Sequence, residues 1–295
     1  MTKIELELFN DLDMYLFIES GMRGGVSLAG KRFAQANNPL IPETYDKNQP
    51  HNYILSIDAN NLYGFVMSAY LPVNNFRWLH KDEIDALDIT NISDENSIGY
   101  ILEVDLKYPE YIHDRHDNLP LAVEHTAIPY GENVHLLYTD TDSLTLQIYT
   151  KDIYEDFKSF PDIFDFSNYP KTHKLYNEMN KNKLGYFKDE TLSKPIIEFC
   201  SLKPKMYSYI FDKQNKKTAK GIKKSVIKTF NHDKYKEVLF NTELLRHQQY
   251  GIKSKNHVVT TYLQNKISLS PFYDKKFIQD NGIDVVSFGH YSFYS

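Results

Sequence analysis

Residues 136–146 read Leu136-Leu137-Tyr138-Thr139-Asp140-Thr141-Asp142-Ser143-Leu144-Thr145-Leu146, and this segment organises the rest of the chain. Apolar side chains occupy every second position before residue 139 and after residue 143. This alternation predicts two half-buried strands joined by a turn at residues 139–142. Two acids in such a turn repel each other, and a neutral Asn-Gly pair would form it at lower cost. A divalent cation would relieve the repulsion, whereas an isolated pair could equally be two solvated turn aspartates.

A second acid follows another predicted strand. Residues 53–57, Tyr-Ile-Leu-Ser-Ile, form a compact apolar strand that ends at Asp58. An acid at the carboxyl end of a buried strand is where α/β sheets place ligand-binding groups. Asp is also a good helix cap, and a helix is predicted shortly afterwards. Both interpretations of Asp58 stay open at this point.

Composition limits the class of protein. The chain has 295 residues, a net charge of −5 and a single cysteine, Cys200. One cysteine excludes an intramolecular disulfide framework and a cysteine-based metal site, which favours a reducing compartment. No apolar run approaches the roughly 20 residues that span a bilayer. We therefore expect a soluble intracellular protein that does not contact membranes.

The charge is unevenly distributed. Residues 201–228 contain nine lysines and one aspartate, a net charge of +8 on a chain that is acidic overall. A basic strip of this kind is compatible with a groove that follows a nucleic-acid backbone. A solvated lysine-rich hairpin explains it equally well.

The remaining pattern is a mixture of short elements. We expect a connecting loop at residues 31–52, a strand at 99–106, and a strand at 205–210 that a lysine-rich turn at 212–217 joins to a strand at 218–222. Asn231 is a predicted helix cap, and the tail from residue 248 mixes short strands and turns.

The two acidic segments together resemble motifs of a known family. Asp58-Ala59-Asn60-Asn61-Leu62-Tyr63-Gly64 resembles the first palm motif of family B DNA polymerases, and Tyr138-Thr139-Asp140-Thr141-Asp142-Ser143 resembles the last. The chain is most similar to the protein-primed, organellar and viral type, as carried by Polinton (Maverick) elements. Arg23-Gly24-Gly25 resembles the Tyr-x-Gly-Gly element, with Met22 in place of the tyrosine. Lys205-Met206-Tyr207 resembles the Lys-x-Tyr element, and Lys220-Gly221-Ile222-Lys223-Lys224 fits the strand that enters the thumb.

The resemblance implies template-directed DNA synthesis by two-metal-ion catalysis. Asp58 and Asp142 would bridge two Mg²⁺ ions, the carbonyl of Ala59 could add a ligand, and Asp140 would support them. Ala59, Leu62 and Tyr63 would lie at the incoming nucleotide, with Tyr63 under the sugar.

The same resemblance implies the partners. The expected DNA contacts are Arg23, Gly24, Gly25, Lys205, Tyr207, Lys220 and Lys223. The partners would be a primer–template and deoxynucleoside triphosphates, with a terminal priming protein as a further candidate. We expect the chain to be a monomer.

One element of the family is missing. Members carry Lys-x-x-x-Asn-x-x-Tyr/Phe-Gly between the two palm motifs, and no such string occurs between Asp58 and Asp142. Residues 120–122 match one side of the gap and Tyr130-Gly131 the other, so we interpret the chain as an internally deleted copy that lacks the fingers. A catalytically silent DNA-binding remnant is the main alternative, and metal-dependent phosphodiester hydrolysis is a weaker one.

The predicted architecture is α/β (α+β), with an antiparallel palm-type sheet, flanking helices and a small mixed thumb. We expect an N-terminal helix and template-side loop in residues 1–52. The palm would occupy residues 53–200, with the fingers deleted near 121–130. Primer-grip strands and the thumb would occupy residues 201–295.

Overall fold

The computed structural model describes residues 4–93, 95–107, 109–114 and 130–291. The chain forms two compact units, which we call the small unit (Met1–Gly25 with Asn61–Leu106) and the sheet unit (Val26–Asn60 with Lys107–Ser295). Within the described ranges, no helix is both long and apolar enough to cross a lipid bilayer.

The small unit is built from short helices. They are α1 (Leu12–Gly21), α2 (Leu62–Met67) and α3 (Lys81–Asp85), with one 3-10 turn at Ile89–Asn91. None of the residues described in this unit is buried. Its two chain segments contact each other through Trp78, whose indole N–H donates to Asp11 Oδ2 at 2.9 Å.

The strand predicted at residues 99–106 is wrong. The structure shows an irregular segment there, and its residues are exposed on both sides. Alternation of apolar and polar residues indicates a strand only when one face is buried against a neighbour, and this segment has no buried face.

The sheet unit contains one large antiparallel sheet, as predicted. Within the described ranges it has nine strands, in the order β1-β4-β5-β3-β7-β8-β9, with β2 paired to β7 and β6 paired to β3. The strands are β1 (Ser27–Ala29), β2 (Phe33–Gln35), β3 (Asn52–Ala59), β4 (Val134–Asp140), β5 (Ser143–Tyr149), β6 (Phe187–Asp189), β7 (Ile196–Lys203), β8 (Met206–Phe211) and β9 (Gln214–Ala219).

Both faces of the sheet are covered. On β3, Ile54 packs into one apolar cluster with Leu137 and Phe199, while Leu55 and neighbouring residues pack into a second cluster. Side chains alternate between faces along a strand, so a strand covered on both sides is apolar at nearly every position. This explains the compact apolar run before Asp58.

In the described part of the sheet unit, three α-helices and two further antiparallel strand pairs accompany the sheet. The helices are α4 (Ile153–Phe157), α5 (Lys224–Ile227) and α6 (His232–Asn241), and the strands are β10 (Leu245–Lys255), β11 (Val258–Leu269), β12 (Phe277–Ile278) and β13 (Val285–Val286). Asn231 caps α6 as predicted, since its side chain accepts a hydrogen bond from Lys234 N at 3.0 Å.

Several boundaries differ from the predictions. The loop at residues 31–52 contains β2, and the lysine-rich turn is only Asp212-Lys213 because β9 begins at Gln214. β9 is the last strand in the sheet order, and exposed edge strands commonly carry lysine. The tail forms the long pair β10–β11, whose residues are mostly exposed and therefore show no clear period.

The boundaries of the expected functional regions are not tested. The expected junction between residues 200 and 201 falls inside β7, which pairs with β8 along its length. The expected fingers deletion lies at residues 121–129, outside the described residues, and at Tyr130. The division into palm and thumb therefore stays a prediction.

Candidate active site

Asp58 lies near the end of β3 and faces partly into solvent. The six residues before it, Asn52 to Ile57, are buried, whereas Asp58 itself is only half-buried. In the sheet it pairs with Ser143 of β5 on one side and with Lys188 of β6 on the other. The helix-cap interpretation of Asp58 is wrong, because Asn61 caps α2 and accepts from Gly64 N at 3.1 Å.

Asp142 lies in the tight turn between β4 and β5. The turn is shorter than predicted, since Asp140 pairs directly with Ser143 and only Thr141 and Asp142 lie outside the ladder. Asp142 N donates to Asp140 O at 2.8 Å across Thr141, whose φ is 61°. Positive φ is unusual for a β-branched residue, and such strain is concentrated at functional sites.

A backbone hydrogen bond brings the two acidic segments together. Ala59 N donates to Asp142 O at 2.8 Å, so the residue after Asp58 is fixed against the turn. The register Asp58 to Ser143 places the same two segments side by side. The structure thus brings together Asp58, Ala59 and Asp142, which the sequence predicted as one site.

The electrostatics of Asp58 reflect this neighbourhood. Burial, then the negative charge of Asp142, then that of Glu190 raise the pKa of the Asp58 carboxyl from 3.8 to about 6, while Lys216 acts in the opposite direction. An acid close to another acid is protonated more readily because two like charges in one site repel. The same repulsion favours a cation between them.

Asp140 has a different environment from Asp142. Lys205 Nζ lies 2.7 Å from Asp140 Oδ1 and 2.9 Å from Oδ2. This ion pair raises the pKa of the Lys205 ammonium. The backbone of Lys205 is also fixed, since its N–H donates to the Tyr138 hydroxyl at 2.9 Å. Asp140 therefore positions Lys205, and its expected role beside the metal ions stays a prediction.

A groove opens beside this ion pair. It has a volume of about 340 Å³ and is lined by Asp140, Lys205, Tyr207, Thr218, Ala219, Lys220, Gly221, Ile222, Lys224 and Ile227. Tyr207 packs against Tyr138 with ring centroids 4.5 Å apart. Lys223 lies outside the groove lining, where its ammonium donates to the carbonyl of Tyr250. The groove thus collects Lys205, Tyr207 and Lys220 of the predicted DNA contacts.

The other predicted residues belong to the small unit. Leu62 and Tyr63 begin α2, and Tyr63 is 67 % exposed. Arg23, Gly24 and Gly25 follow α1 in an exposed, irregular segment. Their roles at the nucleotide and the template stay predictions.

Four charged residues around Asp58 are not among the predicted site residues. Glu190 accepts from Ser56 Oγ at 2.9 Å and pairs with Lys216 at 2.8 Å. Lys188 lies opposite Asp58, and its ammonium contacts the buried Asp165 at 3.2 Å. The pairing of β6 with β3 places Lys188 opposite Asp58, whereas Lys216 reaches Glu190 from β9, and no local sequence signal indicates either contact.

The donor set fits a hard divalent cation. Mg²⁺ is commonly held by one or two carboxylates and completes its octahedron with water and substrate phosphates. Asp58 and Asp142 supply two such carboxylates. In the part of the chain that the structure describes, no group of three or more His, Cys, Asp or Glu side chains is arranged to hold a metal.

No family model, curated protein or solved structure matches this chain.

Proposed function

We propose that this chain is the palm and primer-contacting part of a DNA-directed DNA polymerase that extends a primer with deoxynucleoside triphosphates and two Mg²⁺ ions. The observation that carries the proposal is the 2.8 Å hydrogen bond from Ala59 N to Asp142 O, which joins the two acidic motifs. Both motifs resemble family B palm motifs, and they are 84 positions apart in the chain.

Asp58 and Asp142 would hold the metal ions. Burial and the nearby charges of Asp142 and Glu190 raise the pKa of Asp58 to about 6, and a bound cation would offset this cost of the charged form. When bound, Mg²⁺ lowers the pKa of a primer hydroxyl and neutralises charge on the triphosphate. The strained turn at Thr141 supports the same interpretation, because it fixes Asp142 against the end of β3.

The groove next to Asp140 would hold the primer backbone. Lys205 is held by a carboxylate and by the Tyr138 hydroxyl, so its ammonium is presented in a defined position. Lys220 and Lys224 line the same groove. Contacts of this kind position the backbone without reading base sequence.

The β10–β11 pair would add a second DNA contact. Residues 245–269 contain one arginine, three lysines and two histidines, and they contain no aspartate or glutamate. A two-stranded ribbon fits the major groove of duplex DNA, and an acid-free ribbon is not repelled by phosphates.

A second candidate function is a DNA-binding remnant without catalysis. The observation that favours it is the missing fingers string between Asp58 and Asp142. The lysine of that string would hold the triphosphate, and the loss of such a cationic clamp reduces transition-state stabilisation. For this reason we expect slow extension even if the site is competent.

Primer extension separates the two functions. The purified chain is incubated with a labelled primer–template, the four deoxynucleotides and Mg²⁺, alongside Asp142→Asn and the charge-matched control Asp280→Asn at an exposed position. We expect slow extension by the wild type and by the control, and a loss of about 100-fold or more in Asp142→Asn. Absence of extension, with DNA affinity that falls in Lys205→Ala and Lys220→Ala, would favour the remnant.

A further inference from the structure

Lys188 occupies a position from which it could neutralise Asp58. It lies directly opposite Asp58 in the antiparallel pair of β6 and β3. Side chains at directly opposed positions project from the same face, with Cβ atoms about 4.5–5.5 Å apart. An ammonium group at this position can therefore reach the Asp58 carboxylate and compete with a metal ion.

The Lys188 ammonium instead forms an ion pair with Asp165. Its Nζ lies 3.2 Å from Asp165 Oδ2 and donates to Asn182 Oδ1 at 3.1 Å. The Asp165 side chain is 0 % exposed, so its charge is shielded from water. An ion pair with a buried partner is screened far less than one at the surface.

Asp165 is held in its charged form by hydrogen bonds. Its carboxylate accepts from Ser167 N at 2.9 Å, from Asn182 N at 2.8 Å and from Asn60 Nδ2 at 2.8 Å. Burial alone would raise the pKa of this carboxyl, but the hydrogen bonds outweigh burial and lower that pKa to about 2. The group therefore remains an anion at neutral pH.

The same carboxylate anchors the residue that follows Ala59. Besides its side-chain bond to Asp165, Asn60 donates its backbone N–H to Tyr186 O at 2.9 Å and accepts from Gly185 N at 2.9 Å. Three hydrogen bonds thus fix the chain two residues after Asp58.

We propose that Asp165 is a positioning residue of the Asp58–Asp142 pair: it holds Lys188 away from Asp58 and anchors Asn60, so that the pair stays available to a divalent cation. This inference rests on the proposed function. In this role Asp165 does not touch the metal or the substrate. An ordinary structural ion pair would have no effect on metal affinity beyond its effect on folding.

A double-substitution cycle tests this role. The probe is Mn²⁺, whose free concentration is followed by electron paramagnetic resonance, with folding checked in EDTA by circular dichroism. Asp165→Asn keeps an oxygen acceptor for Asn60 but removes the charge that holds Lys188. We expect about a tenfold or greater weakening of Mn²⁺ binding in Asp165→Asn, wild-type or slightly tighter binding in Lys188→Met, and recovery to within about threefold in the double variant.

The outcomes distinguish failure of this inference from failure of the proposed function. If the double variant binds Mn²⁺ as weakly as Asp165→Asn, or if Asp165→Asn binds like the wild type, the inference is overturned. If Asp165→Asn does not fold, the double variant carries the test alone, and weak binding or failure to fold there refutes the role of Lys188. Asp58→Asn is the reference: Mn²⁺ binding unchanged in that variant would contradict the proposed function itself.

Discussion

Asp58→Asn is expected to stabilise the protein in the absence of metal. In the folded chain, burial and the charges of Asp142 and Glu190 raise the pKa of Asp58 to about 6 from an ordinary value of 3.8. At about 1.36 kcal/mol per pKa unit, this difference corresponds to about 3 kcal/mol. Asp58 is partly exposed, and solvent screening reduces the expected effect to about 1–2 kcal/mol.

The sign follows from proton binding. Between pH 3.8 and about 6, the folded state holds a proton on Asp58 that the unfolded state has released. The free energy of unfolding therefore falls as the pH rises through this range. Above pH 6 the charged Asp58 carboxylate destabilises the folded state by its full amount. Asparagine carries no charge. The increase in the free energy of unfolding in Asp58→Asn should therefore be complete at pH 7.5 and should disappear near pH 3.8.

Urea denaturation followed by circular dichroism in EDTA measures this difference. The control is Asp280→Asn, which removes one exposed charge, and we expect it to change stability by less than about 0.5 kcal/mol. Adding Mg²⁺ should stabilise the wild type but not Asp58→Asn, because only a site that binds the ion gains free energy from it. The reasoning would be refuted if Asp58→Asn were less stable than the wild type at pH 7.5 in EDTA, or if its added stability persisted at pH 3.8.

Three further changes test other parts of the structure. Lys205→Ala should weaken DNA binding about tenfold, and the slope of log affinity against log salt concentration should fall by the amount that corresponds to about one phosphate contact. Fluorescence-anisotropy titrations at several salt concentrations measure both. Lys213→Ala, in an exposed turn, should change neither. Thr141→Gly should raise the free energy of unfolding by about 1 kcal/mol, because glycine adopts a φ of 61° without strain; lower stability in urea denaturation would contradict this. Arg32→Met should destabilise the fold by about 2–4 kcal/mol in the same assay, because the buried guanidinium donates to three main-chain carbonyl groups; a loss no larger than that of the exposed Lys275→Met would contradict it.

The central hairpin was predictable because its apolar residues alternate with the two-residue period of a β-strand. Apolar residues at alternate positions of β4 and β5 lie in the ladder, with Leu136 paired to Leu146. The strand before Asp58 was predictable for a related reason, since residues 53–57 form an almost continuous apolar run, and the structure buries all of them. These signals are local, and they located both acids.

The remaining elements depend on contacts that the sequence does not display. β9 is polar because it lies at the edge of the sheet, so its sequence predicts a turn at the lysines that the structure places in a strand. The segment at residues 99–106 alternates without a buried face. Asn60 and Asp165 are 105 positions apart, and Lys188 reaches the site only through the pairing of β6 with β3.

The most direct test of the account is the position of a bound metal. Crystals of the wild-type chain soaked in Mn²⁺ can be measured at the manganese absorption edge, where anomalous scattering locates the ion. We expect anomalous density between the carboxylates of Asp58 and Asp142, and its loss in Asp142→Asn. Density elsewhere, or none at these two side chains in a well-occupied crystal, would contradict the claim that the two acids form one metal site.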